Sequence, residues 1–287
     1  MSNLSARIRV APFWLFVLVL SADVFMSVLG NQWYIHSGIW KPLYDQTYGL
    51  LHPALVGGVV FFLVVICGVL LGAGRRRPAE VGLEWSKLPA AILYTFVIWV
   101  GLQIVLVAWY LSWGQSVAIA NGWDGVDTLG KAGALLGQLL GNALCEEIVF
   151  RGFLLVQFVL LAQLWWSHQP RTSFVVALFF ATLIFAVLHV PFLLRPDNYL
   201  SLSKLARDLL EIFTIGSIFG WLYWRTCNLF FVVGVHALGN APTTLWAARD
   251  PLWRVDPWVY LLAIIIALAW QRLPATNDAG FVKVQRR

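Results

Sequence analysis

Charge is scarce in this chain: Asp, Glu, Lys and Arg together make up 12% of its 287 residues. An ordinary soluble domain carries about 25%, so a freely soluble globular protein is excluded, and a long disordered chain needs more charge still. Cysteine is sparse as well. Cys67, Cys145 and Cys227 lie apart in apolar surroundings, with no CxxC pair and no zinc spacing, so they read as small buried hydrophobes and no disulfide framework is expected. Internal repeats, a Gly-rich phosphate loop and low-complexity tracts are missing. So are the HExxH helix of zincins, a GxGD aspartyl motif and a GxSG serine motif.

What is abundant is apolar surface. Hydrophobic residues make up 60% of the chain and Trp alone contributes 16 residues, the composition of a polytopic membrane protein. The expected fold is an all-α bundle of about eight transmembrane spans: Ala11–Leu29, Leu51–Ala73, Pro89–Trp113, Lys131–Leu161, Ser173–Leu194, Leu209–Trp224, Leu229–Ala248 and Trp258–Trp270. Each approaches the ~20 residues a crossing needs, except the short sixth and last. The first run, behind Arg7 and Arg9, has no convincing cleavage site and reads as an uncleaved helix. Trp109, Trp113, Trp258 and Trp270 sit at span ends, where interfacial aromatics belong.

The net charge of +6 does not imply nucleic acid as a partner, because the basic residues lie in short loops and at the termini. Positive-inside orientation accounts for them and puts both termini in the cytoplasm, with the Arg75–Arg77 cluster the strongest vote. A bacterial inner membrane is the expected location. Three parts are expected: N-terminal spans and loops over 1–128, a core over 129–248, and a last helix with a polar basic tail over 249–287.

The run from Cys145 to Leu155 breaks the apolar pattern with Glu146, Glu147 and Arg151. Each costs about 2.5–3.5 kcal/mol at a helix centre on insertion scales, so three together point to use inside the membrane. Glu147 and Arg151 are four apart and share a face in the favourable order for an ion pair. Glu146 lies about 100° further round and is expected to face a cavity, with Asn142 on its own face as a hydrogen-bonding neighbour. Gly133, Gly137, Gly141 and Cys145 form a small-residue stripe that admits a neighbouring helix closely. Two later spans add Phe185 with His189, and His236 with Asn240, each pair on one helical face.

In these residues the chain resembles the family of CAAX proteases and bacteriocin-processing enzymes (CPBP, also called Abi or type II CAAX prenyl endopeptidase-like). The resemblance rests on Glu146-Glu147-x-x-x-Arg151, Phe185-x-x-x-His189 and His236-x-x-x-Asn240, in the family's order, and covers about Leu135 to Leu245. It implies an intramembrane endopeptidase acting on a membrane-associated protein or peptide. Glu146 and His189 would activate water, and His236 and Asn240 would donate to the oxyanion. Glu147, Arg151, Phe185 and Asn142 would order the site. The chemistry agrees: amide hydrolysis needs a base for water, an acid for the leaving amine and donors for developing negative charge. No cofactor is needed in that version. Zinc held by Glu146, His189 and His236 is the competing one. Two other functions fit the same residues: a non-enzymatic immunity or partner-binding protein, and a proton-coupled carrier with Glu146 and the histidines as its relay.

Overall fold

A computed structural model describes residues 9–121, 123, 127–165, 169–194, 201–241, 243–248 and 255–270. The ends at Met1–Ala6 and Thr276–Arg287, for which the sequence composition leads one to expect disorder, lie outside them. Ten helices carry the architecture of the described residues. They are α1 (Phe13–Val28), α2 (Pro53–Ala73), α3 (Leu88–Ser112), α4 (Thr128–Leu140), α5 (142–165), α6 (Pro170–Leu188), α7 (Val190–Leu193), α8 (Leu202–Thr226), α9 (Leu229–Asn240) and α10 (Asp256–Ala269). Four stretches are long and apolar enough to cross a membrane: Pro53–Ala73, Trp85–Ser112, Thr128–Trp165 and Pro170–Leu193. Helices α1 and α9 and residues Pro257–Ala269 are apolar but shorter.

The chain departs from the expected spans in four places. Helical turns continue past α1 through Leu29–Tyr34 and Ile35–Ser37, and a further helix covers Lys41–Gln46, where a long loop was expected. The fourth span is broken at Gly141, whose φ of −124° and ψ of −101° are not helical. The sixth is longer than expected, reaching back to Leu202, where Ser201 accepts a hydrogen bond from the Lys204 amide. The seventh ends at Asn240 rather than Ala248, and Trp246–Ala248 instead pairs antiparallel with Val117–Ile119 in a two-stranded clip.

Helix starts follow local chemistry. Pro53 opens α2 at a position where its missing N–H costs nothing, and the His52 imidazole accepts from the Ala54 amide at 3.2 Å. At α9, Cys227 takes a left-handed φ of 50° and turns the chain, after which the Asn228 side chain accepts from the Phe231 amide at 3.2 Å. The Asn228 amide group also donates to the Lys87 carbonyl at 2.9 Å, tying the start of α9 to the start of α3.

The small-residue stripe does what its spacing implies. A Cβ on Gly58 of α2 would lie 2.2 Å from the Gly141 Cα, and one on Gly141 would lie 2.5 Å from the Ala54 carbonyl oxygen. Backbone therefore meets backbone where α2 passes the α4–α5 break. Beside it, the buried Cys145 thiol donates to the Gly58 carbonyl at 3.4 Å. The core is built around α5 and α9, each buried along most of its length. Helix α9 packs against α3, α4, α5, α8 and α10; α6 packs against α5 and α8; and α1 lies along the second half of α2.

Candidate active site

Helix α5 opens the site. Between Ile148 and Leu155 it widens to i→i+5 hydrogen bonding, a distortion that is frequent at functional positions. Glu147, immediately before this stretch, is fully buried at 0% exposure. Its Oε1 accepts from Arg151 Nη1 at 3.0 Å, so the expected ion pair is present. Arg151 is otherwise satisfied: Nη2 donates to the Gly216 carbonyl at 3.0 Å, and the guanidinium lies 4.4 Å from the Phe185 ring centre and 5.4 Å from that of Phe219. Such a cation between aromatic faces in a dry core is favourable. Gly216 has to be glycine for this, since a Cβ there would come within 3.2 Å of Arg151 Nη2 and 2.9 Å of Thr182 Cγ2.

The same Oε1 of Glu147 meets Nδ1 of His236 at 2.8 Å. The imidazole stacks on Phe219 with centroids 4.7 Å apart, and its other nitrogen, Nε2, lies 3.8 Å from Glu146 Oε2. His236 is thus held between the two carboxylates, a contact the linear sequence does not announce. It depends on the packing of α9 against α5, and neither motif alone predicts which carboxylate meets which histidine.

Glu146 points where its helical position implied, into a cavity of about 570 Å³, and its side chain is 20% exposed. His189, His236 and Asn240 line the same cavity, as do Phe185 and Asn142. His189 sits at the C-terminal end of α6, ahead of the one-turn helix Val190–Leu193. Its Nδ1 lies 2.7 Å from the Phe185 carbonyl oxygen, and its ring meets the Phe185 ring edge-on at 4.6 Å. Because a carbonyl can only accept, Nδ1 carries the proton and Nε2 of the neutral ring is left as an acceptor. Phe185 thus fixes the His189 tautomer through its backbone and covers Arg151 with its ring.

Asn142 does not hydrogen-bond to Glu146. Its amide reaches Gln138 Oε1 at 3.5 Å, and the Asn240 amide donates to the same oxygen at 3.2 Å. Gln138 therefore joins α4 to α9 at the cavity rim. The sequence did carry its signal: Gln138, Asn142 and Glu146 recur every four residues along one face. A second lining residue, Asp23, comes from α1 and was not recognised as part of the site.

Zinc held by Glu146, His189 and His236 would need those side chains to converge on one point. Among the described residues no group of three His, Cys, Asp or Glu does so.

Apolar helices long enough to cross a bilayer surround a buried constellation of carboxylates, imidazoles and amides, and this defines an integral membrane protein with an intramembrane polar site. Residues 128–242 match the family model described as type II CAAX prenyl endopeptidase, Rce1-like, so that segment is similar to those proteases. Neither the curated proteins nor the solved structures contain a match to the chain. The matched segment holds Gln138, Glu146, Glu147, Arg151, Phe185, His189, His236 and Asn240. Asp23 lies outside it.

Proposed function

We propose that the protein is an intramembrane endopeptidase that hydrolyses a peptide bond of a membrane-associated protein or peptide, with Glu146, His189, His236 and Asn240 as its catalytic residues. The observation that carries this reading is the convergence of those four side chains, from α5, α6 and α9, on one cavity. In this mechanism Glu146 takes a proton from water, and the His189 Nε2 lone pair holds that water against the carboxylate. The water oxygen attacks the substrate carbonyl carbon. The oxyanion accepts hydrogen bonds from the Asn240 amide and from an N–H of His236. The proton passes from Glu146 to the amide nitrogen, the C–N bond breaks, and a carboxylic acid and an amine leave. No metal takes part in these steps.

In the same reading, residues 129–248 are the catalytic core, the spans in 1–128 flank it, and 249–287 supply a last helix and a tail. The protein crosses a bacterial inner membrane about eight times, with both termini in the cytoplasm. The test is a comparison of membrane-protein N- and C-termini in cells expressing wild type or Glu146→Ala at matched levels. New chain ends confined to wild type are expected. Matching profiles from cells that contain a cleavable substrate would leave a non-enzymatic, partner-binding role on this scaffold.

A further inference from the structure

Asp23 is the one acid on the buried stripe of α1. Leu15, Val19 and Asp23 recur every four residues, and the side of the helix they mark is buried. By pattern position 23 should be apolar, yet it carries a carboxyl in a residue only 4% exposed. That carboxyl forms no hydrogen bond or ion pair with any described residue. It lines the same cavity as Glu146 and lies close enough to interact with it electrostatically. Among the described residues no Lys or Arg lines the cavity to offset the two acids, and Arg151 is taken by Glu147. A carboxylate in such surroundings costs several kcal/mol unless something pairs with it. No described residue does, and the cavity it lines gives a cationic group a way to reach it.

We infer that Asp23 is an acidic subsite that binds a cationic side chain, Lys or Arg, of the substrate beside the bond to be cut. This rests on the endopeptidase reading for its substrate but not for the site itself. The cavity polar groups left for the rest of the substrate are amides, imidazoles and the side chains of Ser27 and Tyr260, which suit a peptide backbone. A basic side chain would pair with Asp23 and at the same time offset the repulsion between Asp23 and Glu146.

Two measurements on the full chain separate this inference from the reading beneath it. In nanodiscs of phosphatidylcholine, butylguanidinium and its neutral isostere butylurea are compared as ligands. Wild type is expected to bind the cation at least tenfold more tightly. Asp23→Asn should lose that preference, while Asp23→Glu and Glu146→Gln should keep it. Equal binding of the two probes by wild type, or a preference that survives in Asp23→Asn, overturns the subsite. If Asp23→Asn does not fold, the wild-type comparison alone retains that power.

In proteoliposomes, a degenerate palmitoylated decapeptide library is digested and the residues flanking each cut are read by mass spectrometry. Enrichment of Lys and Arg at one flanking position is expected, present in Asp23→Glu and lost in Asp23→Asn. Cuts without that enrichment overturn the subsite as a determinant of specificity. No cutting by wild type, with the guanidinium preference intact, would instead count against the protease reading and leave the cation site standing.

Discussion

His236 Nδ1 and Arg151 Nη1 converge on a single oxygen of Glu147, at 2.8 Å and 3.0 Å, inside a fully buried part of the bundle. The other oxygen, Oε2, is buried with no hydrogen-bond partner among the described residues. One carboxylate therefore holds together α5 and α9, and through Arg151 and the Gly216 carbonyl it holds α8 as well. Glu147 and Glu146, adjacent in sequence, consequently differ in task. The first is structural and cross-links helices; the second faces the cavity.

Removal of Glu147 is expected to damage the fold. Glu147→Ala leaves a buried guanidinium without its counter-charge, a change that costs about 3–5 kcal/mol. Arg151→Ala should cost a similar amount, and the double variant clearly less than the sum of the two. Unfolding of the detergent-purified proteins by denaturant reads all three values. Additive losses would mean that the pair does not act as a unit.

Glu146→Ala should behave in the opposite way. Its side chain is partly exposed to the cavity and forms no short ion pair, so the variant should accumulate in the membrane like wild type. Turnover of a cleaved reporter should fall by about 10²–10⁴, the usual cost of losing a general base. A variant with normal turnover would remove Glu146 from the mechanism.

Asn240 and Gln138 separate direct from indirect action. Asn240→Ala should lower kcat by about 10²–10³ as an oxyanion donor is lost. Gln138→Ala leaves that donor in place but unanchored, and should lower kcat by a smaller factor with KM little changed. Gln138→Glu, which keeps an accepting oxygen near the Asn240 amide, should recover part of the loss. Steady-state kinetics on one reporter peptide distinguishes these outcomes.

Gly58→Ala tests the close passage of α2 over the break between α4 and α5. The added methyl would sit 2.2 Å from the Gly141 Cα, and backbone cannot yield as a side-chain tip can. A loss of about 1–3 kcal/mol is expected from overpacking, measured as a lowered Tm in detergent. Because α2 supplies Ala54 to the cavity wall, reporter cleavage should fall with it. Gly57→Ala on the next position, where the nearest atom is 3.8 Å away, should be nearly silent.

Much of this protein was legible in the chain before any tertiary structure. Apolar run length and the scarcity of charge imply a helical membrane protein, because a bilayer leaves backbone polar groups no partner but their own helix. The Glu147–Arg151 pair follows from helical spacing, and the outward turn of Glu146 follows from the 100° step between neighbours. The glycine stripe implied a close helix crossing, though not which helix would use it.

What local pattern cannot supply is contact between residues far apart in sequence. That His236 bridges Glu147 and Glu146, that Gln138 anchors Asn240, and that α1 brings Asp23 to the cavity all depend on how separate helices pack. The break at Gly141 also escaped the spacing argument, since a glycine inside a helical run costs only about 1 kcal/mol and the approach of α2 decides what it does. Helical periodicity sets which face a side chain occupies; packing of one helix on another sets what that face meets.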